Sequence, residues 1–145
     1  MIRRLAWLLA ITGVLIFAVM TAFLFSGENH VRIPAIAALV TFAAVVISYV
    51  GGIEFGLALR EEGSSERIRA LAMSMSALPS LASWGVFWLP SPQQQIGAAI
   101  GLFVLVWFSD LYFAHRGLIP SWFVDMRTAV TAIACVILGV AFYLL

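Results

Sequence analysis

The 145-residue sequence has no lysine, one cysteine, two histidines and few charges of either sign: eight arginines and seven acidic residues. Each shortage excludes something. A single thiol, Cys135, excludes an internal disulfide, and its place inside the last apolar run suits packing better than redox chemistry. His30 lies in the loop before the second apolar run and His115 at the opposite boundary after the fourth, about a membrane thickness apart, so they cannot both ligate one haem or one tetrahedral zinc within this chain. No histidine lies at depth to activate a serine, and no glycine loop of phosphate-cradling form is present. Net charge is only +1, and the arginines are segregated at the ends of apolar runs instead of forming a basic patch, which argues against nucleic acid as a partner.

Apolar residues are abundant. They make up 63% of the chain against 10% charged, with a mean hydropathy of +1.08. An ordinary soluble domain is about a quarter charged and under half apolar. There are too few polar residues to clothe a water-facing surface, so the lipid bilayer is the solvent that this composition demands.

Five apolar runs predict an all-α bundle of five transmembrane helices in one polytopic domain spanning 1–145. The expected helices cover about 5–25, 35–59, 71–89, 96–113 and 121–145. The first run follows Met1-Ile2-Arg3-Arg4 like a signal peptide, but it is long and lacks a small-x-small cleavage pattern, so it reads as an uncleaved helix. Pro34 suits the start of the second helix, while Pro79 sits inside the third as a kink. Seven arginines, at 3, 4, 60, 67, 69, 116 and 127, flank one face of the implied zigzag, and Arg32 alone lies on the other. By the positive-inside rule the N-terminus is cytoplasmic and the C-terminus outside. This makes the chain a multi-pass protein of the bacterial cytoplasmic (inner) membrane. The mixed-charge stretch Arg60–Arg69 reads as a solvated turn. Arg60, Arg116, Trp122 and Arg127 are expected at the interface, whereas Trp84 and Trp107 are expected as deeper packing residues.

Two glycine pairs, Gly52/Gly56 and Gly97/Gly101, form GxxxG ridges on which another backbone can approach closely. Glu54 and Asp110 each precede a boundary arginine by six positions, which sets both carboxyls about 9 Å inside the same boundary. With Ser74, Ser76 and Thr131 near that level, they compose a candidate intramembrane polar layer. Charge at membrane depth is costly and marks either a proton- or ligand-carrying site or acids that pair with an arginine and hold the bundle together. No catalytic, cofactor or metal set emerges, and none is expected.

Ser48-Tyr49-Val50-Gly51-Gly52 with Phe55-Gly56-Leu57-Ala58-Leu59, then Leu78-Pro79-Ser80 with Trp84, then Asp110 and Gly117–Pro120 with Trp122 and Arg127 resemble the transmembrane protein 69 family. The resemblance covers the second to fifth helices. It implies a small bacterial or mitochondrial membrane protein, brings no catalytic residue with it, and loosely suggests a respiratory membrane. The function expected from these features is that of an accessory subunit or assembly factor docking on a larger inner-membrane complex, with another membrane protein or a second copy as partner. The alternative is a small oligomeric transporter or channel-like carrier that uses the intramembrane carboxylates.

Overall fold

The computed structural model describes residues 1–60 and 65–145. Residues 61–64 of the expected Arg60–Arg69 turn lie outside the described residues. The described chain is all helical: α1 (Ile2–Phe23), α2 (Asn29–Ala58), α3 (Glu66–Met75), α4 (Leu78–Val86), α5 (Pro92–His115) and α6 (Ser121–Leu144). Four of these, α1, α2, α5 and α6, are long and apolar enough to cross a membrane. Helices are the natural answer for such a composition, because in lipid each backbone N–H and C=O must find its partner within the segment.

Helix α2, at 30 residues, is about 45 Å long and lies at the centre, packed against α1, α3, α4 and α5. It begins six residues before the expected start. The polar turn Asn29–Arg32 is helical although it lies outside the apolar run, and Pro34 therefore sits within the helix, not ahead of it. Helix α6 packs against α5 and α1.

The expected third helix is not continuous. It is two short helices, α3 and α4, meeting at Ser76-Ala77. Pro79 explains the break, since it has no N–H to give the carbonyl of Met75 and its ring occupies that carbonyl's space. The Ser76 hydroxyl turns back to the Met73 carbonyl at 2.7 Å. Against this break lies Gly51 of α2, where a Cβ would stand 2.5 Å from the Ser76 carbonyl oxygen and 3.3 Å from the Pro79 ring. One turn away the hydroxyls of Ser48 and Ser83 meet at 3.0 Å, an interhelical hydrogen bond of the kind that substitutes for hydrophobic driving force in lipid.

Two local devices fix how α5 and α6 meet. Ser91 accepts from the Gln94 amide at the start of α5, ahead of Pro92 in the first turn. At the other end Gly117 takes φ 80°, Leu118 N–H reaches the Phe113 carbonyl and Gly117 N–H the Ala114 carbonyl. This is a Schellman closure, and Phe113 and Leu118 pack together beneath it. The last carbonyls of α6 are also covered. Arg32 Nη2 donates to Leu144 O, and Gln93 Nε2 donates to Phe142 O at 3.2 Å. The one arginine on the otherwise arginine-free face thus caps a helix end.

Candidate functional site: a buried acid–arginine layer

Two apolar clusters fill the bundle. The larger runs through Phe17, Leu39, Ile47, Phe103 and Leu138, with Phe17 edge-on to Phe42 and Phe103. The smaller gathers Ala58, Ala72, Phe113, Leu118 and Ile119. Along α2, α5 and α6, four polar residues fall between them: Glu54, Asp110, Arg127 and Thr131.

Helical phase places each of these inward. Asp110 continues the buried stripe Ile96, Ala99, Phe103, Val106 and precedes Phe113. Glu54 follows Ile47, Val50 and Gly51 and precedes Ala58. Arg127 opens the stripe Thr131, Ala134, Leu138, Ala141. Steps of three and four residues keep a side chain on one face.

At the centre Arg127 Nε donates to Asp110 Oδ2 at 3.0 Å, with the two side chains only 7% and 1% exposed. Ser109 stands beside the Glu54 carboxyl, and Asp110 and Arg127 lie within electrostatic range of it. One guanidinium is thus set among two acids. The contact is single, not forked, so polar atoms remain: among the described residues Glu54 Oε1, Asp110 Oδ1, Arg127 Nη2 and Thr131 Oγ1 are buried without a hydrogen-bond partner. Nearby on α6 the Thr128 hydroxyl accepts from Trp107 Nε1 at 2.9 Å, which ties α5 to α6 a second time.

Arg127 corrects the sequence reading. It was expected at the interface, but it is buried, because its position on α6 is in phase with the core stripe. Arg60 and Arg116 are exposed, Arg116 lying over Tyr112 at 5.3 Å. Trp122 is partly covered by Arg3, 5.5 Å from its ring, which joins the starts of α1 and α6. Of the expected polar layer, Asp110 pairs with Arg127, Glu54 is buried within electrostatic range of both without a direct contact to the guanidinium, and Thr131 is buried one turn beyond Arg127. Ser76 is buried at the α3–α4 break, whereas Ser74 is exposed and returns its hydroxyl to Ala70 O. Trp84 is 62% exposed and stacks edge-on with Trp88, so it does not pack inside this chain.

The expected glycine ridges have few close neighbours among the described residues. A Cβ at Gly52, Gly56 or Gly101 would meet nothing of theirs within 4 Å, and one at Gly97 would meet only the Phe142 ring. The close approach belongs to Gly51, whose signal was its place in the core stripe and not a GxxxG spacing.

Beside the acid–arginine layer is a cavity of about 380 Å³, walled by α1, α2, α5 and α6. Its lining is mostly apolar, from residues such as Leu9, Gly13, Phe17, Val46 and Ala134, and the polar side chains that also border it are those of Thr12, Tyr49, Arg127 and Thr131.

Residues 2–143 match the family model DUF3429, described as a protein of unknown function, and the chain belongs to that family. No curated protein and no solved structure matches it.

Proposed function

We propose that this DUF3429 member is a non-catalytic accessory subunit or assembly factor that docks within the bilayer on a larger complex of the bacterial inner membrane. In this reading the α3–α4 pair completes a fifth crossing, the N-terminus is cytoplasmic and the C-terminus outside, in line with the arginine distribution. The resemblance to the transmembrane protein 69 family, which spans bacteria and mitochondria, is compatible with that membrane.

The observation that carries the reading is a contrast between inside and outside. Asp110, an acid that would be expensive in lipid, is paired internally with Arg127. Gly52 and Gly56, by contrast, leave an open ridge on α2 where nothing among the described residues comes within 4 Å. Small residues facing outward in lipid let a foreign helix come close. Purification in mild detergent tests it: a stoichiometric membrane partner is expected, lost on Gly52→Leu with Gly56→Leu while the chain itself stays folded. A chain that always isolates alone defeats the proposal.

A second reading, an oligomeric carrier, is favoured by one observation. Glu54 is 1% exposed and its Oε1 has no partner among the described residues. In proteoliposomes, a proton- or cation-coupled flux that disappears in Glu54→Gln supports the carrier; a flux unchanged by Glu54→Gln removes the acid from any such mechanism.

A further inference from the structure

We infer that the cavity between α1, α2, α5 and α6 is a binding site for a neutral lipophilic molecule carrying a carbonyl oxygen, held by Arg127 and Thr131. Three observations carry this independently of the docking proposal. The space, about 380 Å³, falls within the roughly 300–1,000 Å³ range of small-molecule sites, and its apolar walls with a few polar groups are of the usual kind. Of the four polar residues that border it, Thr12 donates to the Leu8 carbonyl and Tyr49 is exposed, whereas Arg127 and Thr131 are each more than nine-tenths buried and each retains an atom without a partner among the described residues, Arg127 Nη2 and Thr131 Oγ1. Leaving such groups unmet in a dry interior costs about 1–3 kcal/mol each, so an occupant that meets them is favoured.

The chemistry of the occupant follows from donors and charge. A guanidinium nitrogen can only donate, and a hydroxyl can donate as well as accept, so both are satisfied by an acceptor oxygen. Arg127 and Thr131 lie one turn apart on α6, and a carbonyl oxygen with two lone pairs can accept from both. A carboxylate is disfavoured. The single positive charge here is already engaged by Asp110, and Glu54 is within its range, so a third acid would add an unmatched negative charge. What remains is a neutral carbonyl on an apolar body, as in an acyl ester or a membrane quinone.

Gly13 offers a way to close the site. It borders the cavity, and a Cβ built on it meets nothing within 4 Å. A leucine there occupies the space without disturbing a neighbour's backbone.

The test uses the purified full-length chain in detergent. Its melting midpoint is followed against four probes: monoolein, decylubiquinone, oleate and dodecane. A saturable rise in midpoint is expected with monoolein or decylubiquinone, and which of them acts identifies the ester or the quinone as the source. Dodecane and oleate are expected to bind at least tenfold more weakly. Thr131→Val should lower affinity for the active probe by about tenfold, the loss of one hydrogen bond, and Gly13→Leu should abolish the rise. No response to either carbonyl compound, an equal response to dodecane, or wild-type affinity in Thr131→Val overturns the site. A tighter response to oleate overturns the neutral assignment. Should Gly13→Leu fail to fold, Thr131→Val decides alone.

Discussion

Arg127 meets Asp110 through its Nε and not through the paired Nη atoms, so the guanidinium that neutralises one acid keeps its outer edge free, with Glu54 within range. That geometry makes the two acids unequal. Asp110 holds the hydrogen bond, while Glu54 shares the same charge at longer reach.

Removing the arginine is therefore expected to be worse than removing its partner. Arg127→Met leaves two buried acids with no cation and should cost about 3–5 kcal/mol, the usual figure for breaking a buried pair. Asp110→Leu leaves the guanidinium a second counter-charge in Glu54 and should cost less. Thermal unfolding of both variants in detergent checks the order; equal losses, or a larger loss in Asp110→Leu, would refute the sharing of one charge by two acids.

At the α2 crossing, Gly51→Ala should be destabilising and its neighbours should not. The added methyl would stand 2.5 Å from the Ser76 carbonyl oxygen, and overpacking of this sort costs about 1–3 kcal/mol. Gly52→Ala and Gly56→Ala meet open space, so stability is expected to hold or rise by up to about 1 kcal/mol through helix propensity. A parallel melt of the three variants separates them.

Gly117→Ala should lower stability by about 1–2 kcal/mol, because φ 80° places a Cβ against backbone. The same substitution should loosen the α5–α6 hairpin locally. Faster amide exchange at Leu118, whose N–H bonds to Phe113 O, is the specific sign; unchanged exchange there would mean that the closure holds without glycine.

Arg32→Ala should act on the far end of the chain. It frees the Leu144 carbonyl, so the last turn of α6 should exchange faster while the region around Asp110 is unaffected. Gln93→Ala, which frees Phe142 O, should add to the effect. Uniform loosening of the whole bundle would contradict a role limited to capping.

Much of the fold was legible because lipid imposes a simple rule: long apolar runs become helices, and acids within them mark the faces that must turn away from lipid. Glu54 and Asp110 were visible in that way as two acids at one depth, and so was Pro79 as an interruption. Arg127 was misread because arginines near run ends usually reach the interface, whereas this one lies in register with Thr131, Ala134 and Leu138 on the inward face of α6. The GxxxG pairs were legible only as shared faces, since spacing reports that two glycines lie together but not which neighbour, within this chain or outside it, they meet.

What the chain alone determined was its solvent and its secondary structure. Composition excluded a water-facing surface, and backbone hydrogen bonding in lipid left helices as the only economical form. What only the tertiary structure decided was pairing: that Gly51 receives the Ser76 carbonyl, that Arg127 lies against Asp110 and near Glu54, and that an apolar cavity borders Arg127 and Thr131. Those facts depend on the relative rotation and height of separate helices, and interhelical packing sets both through contacts between residues far apart in the sequence.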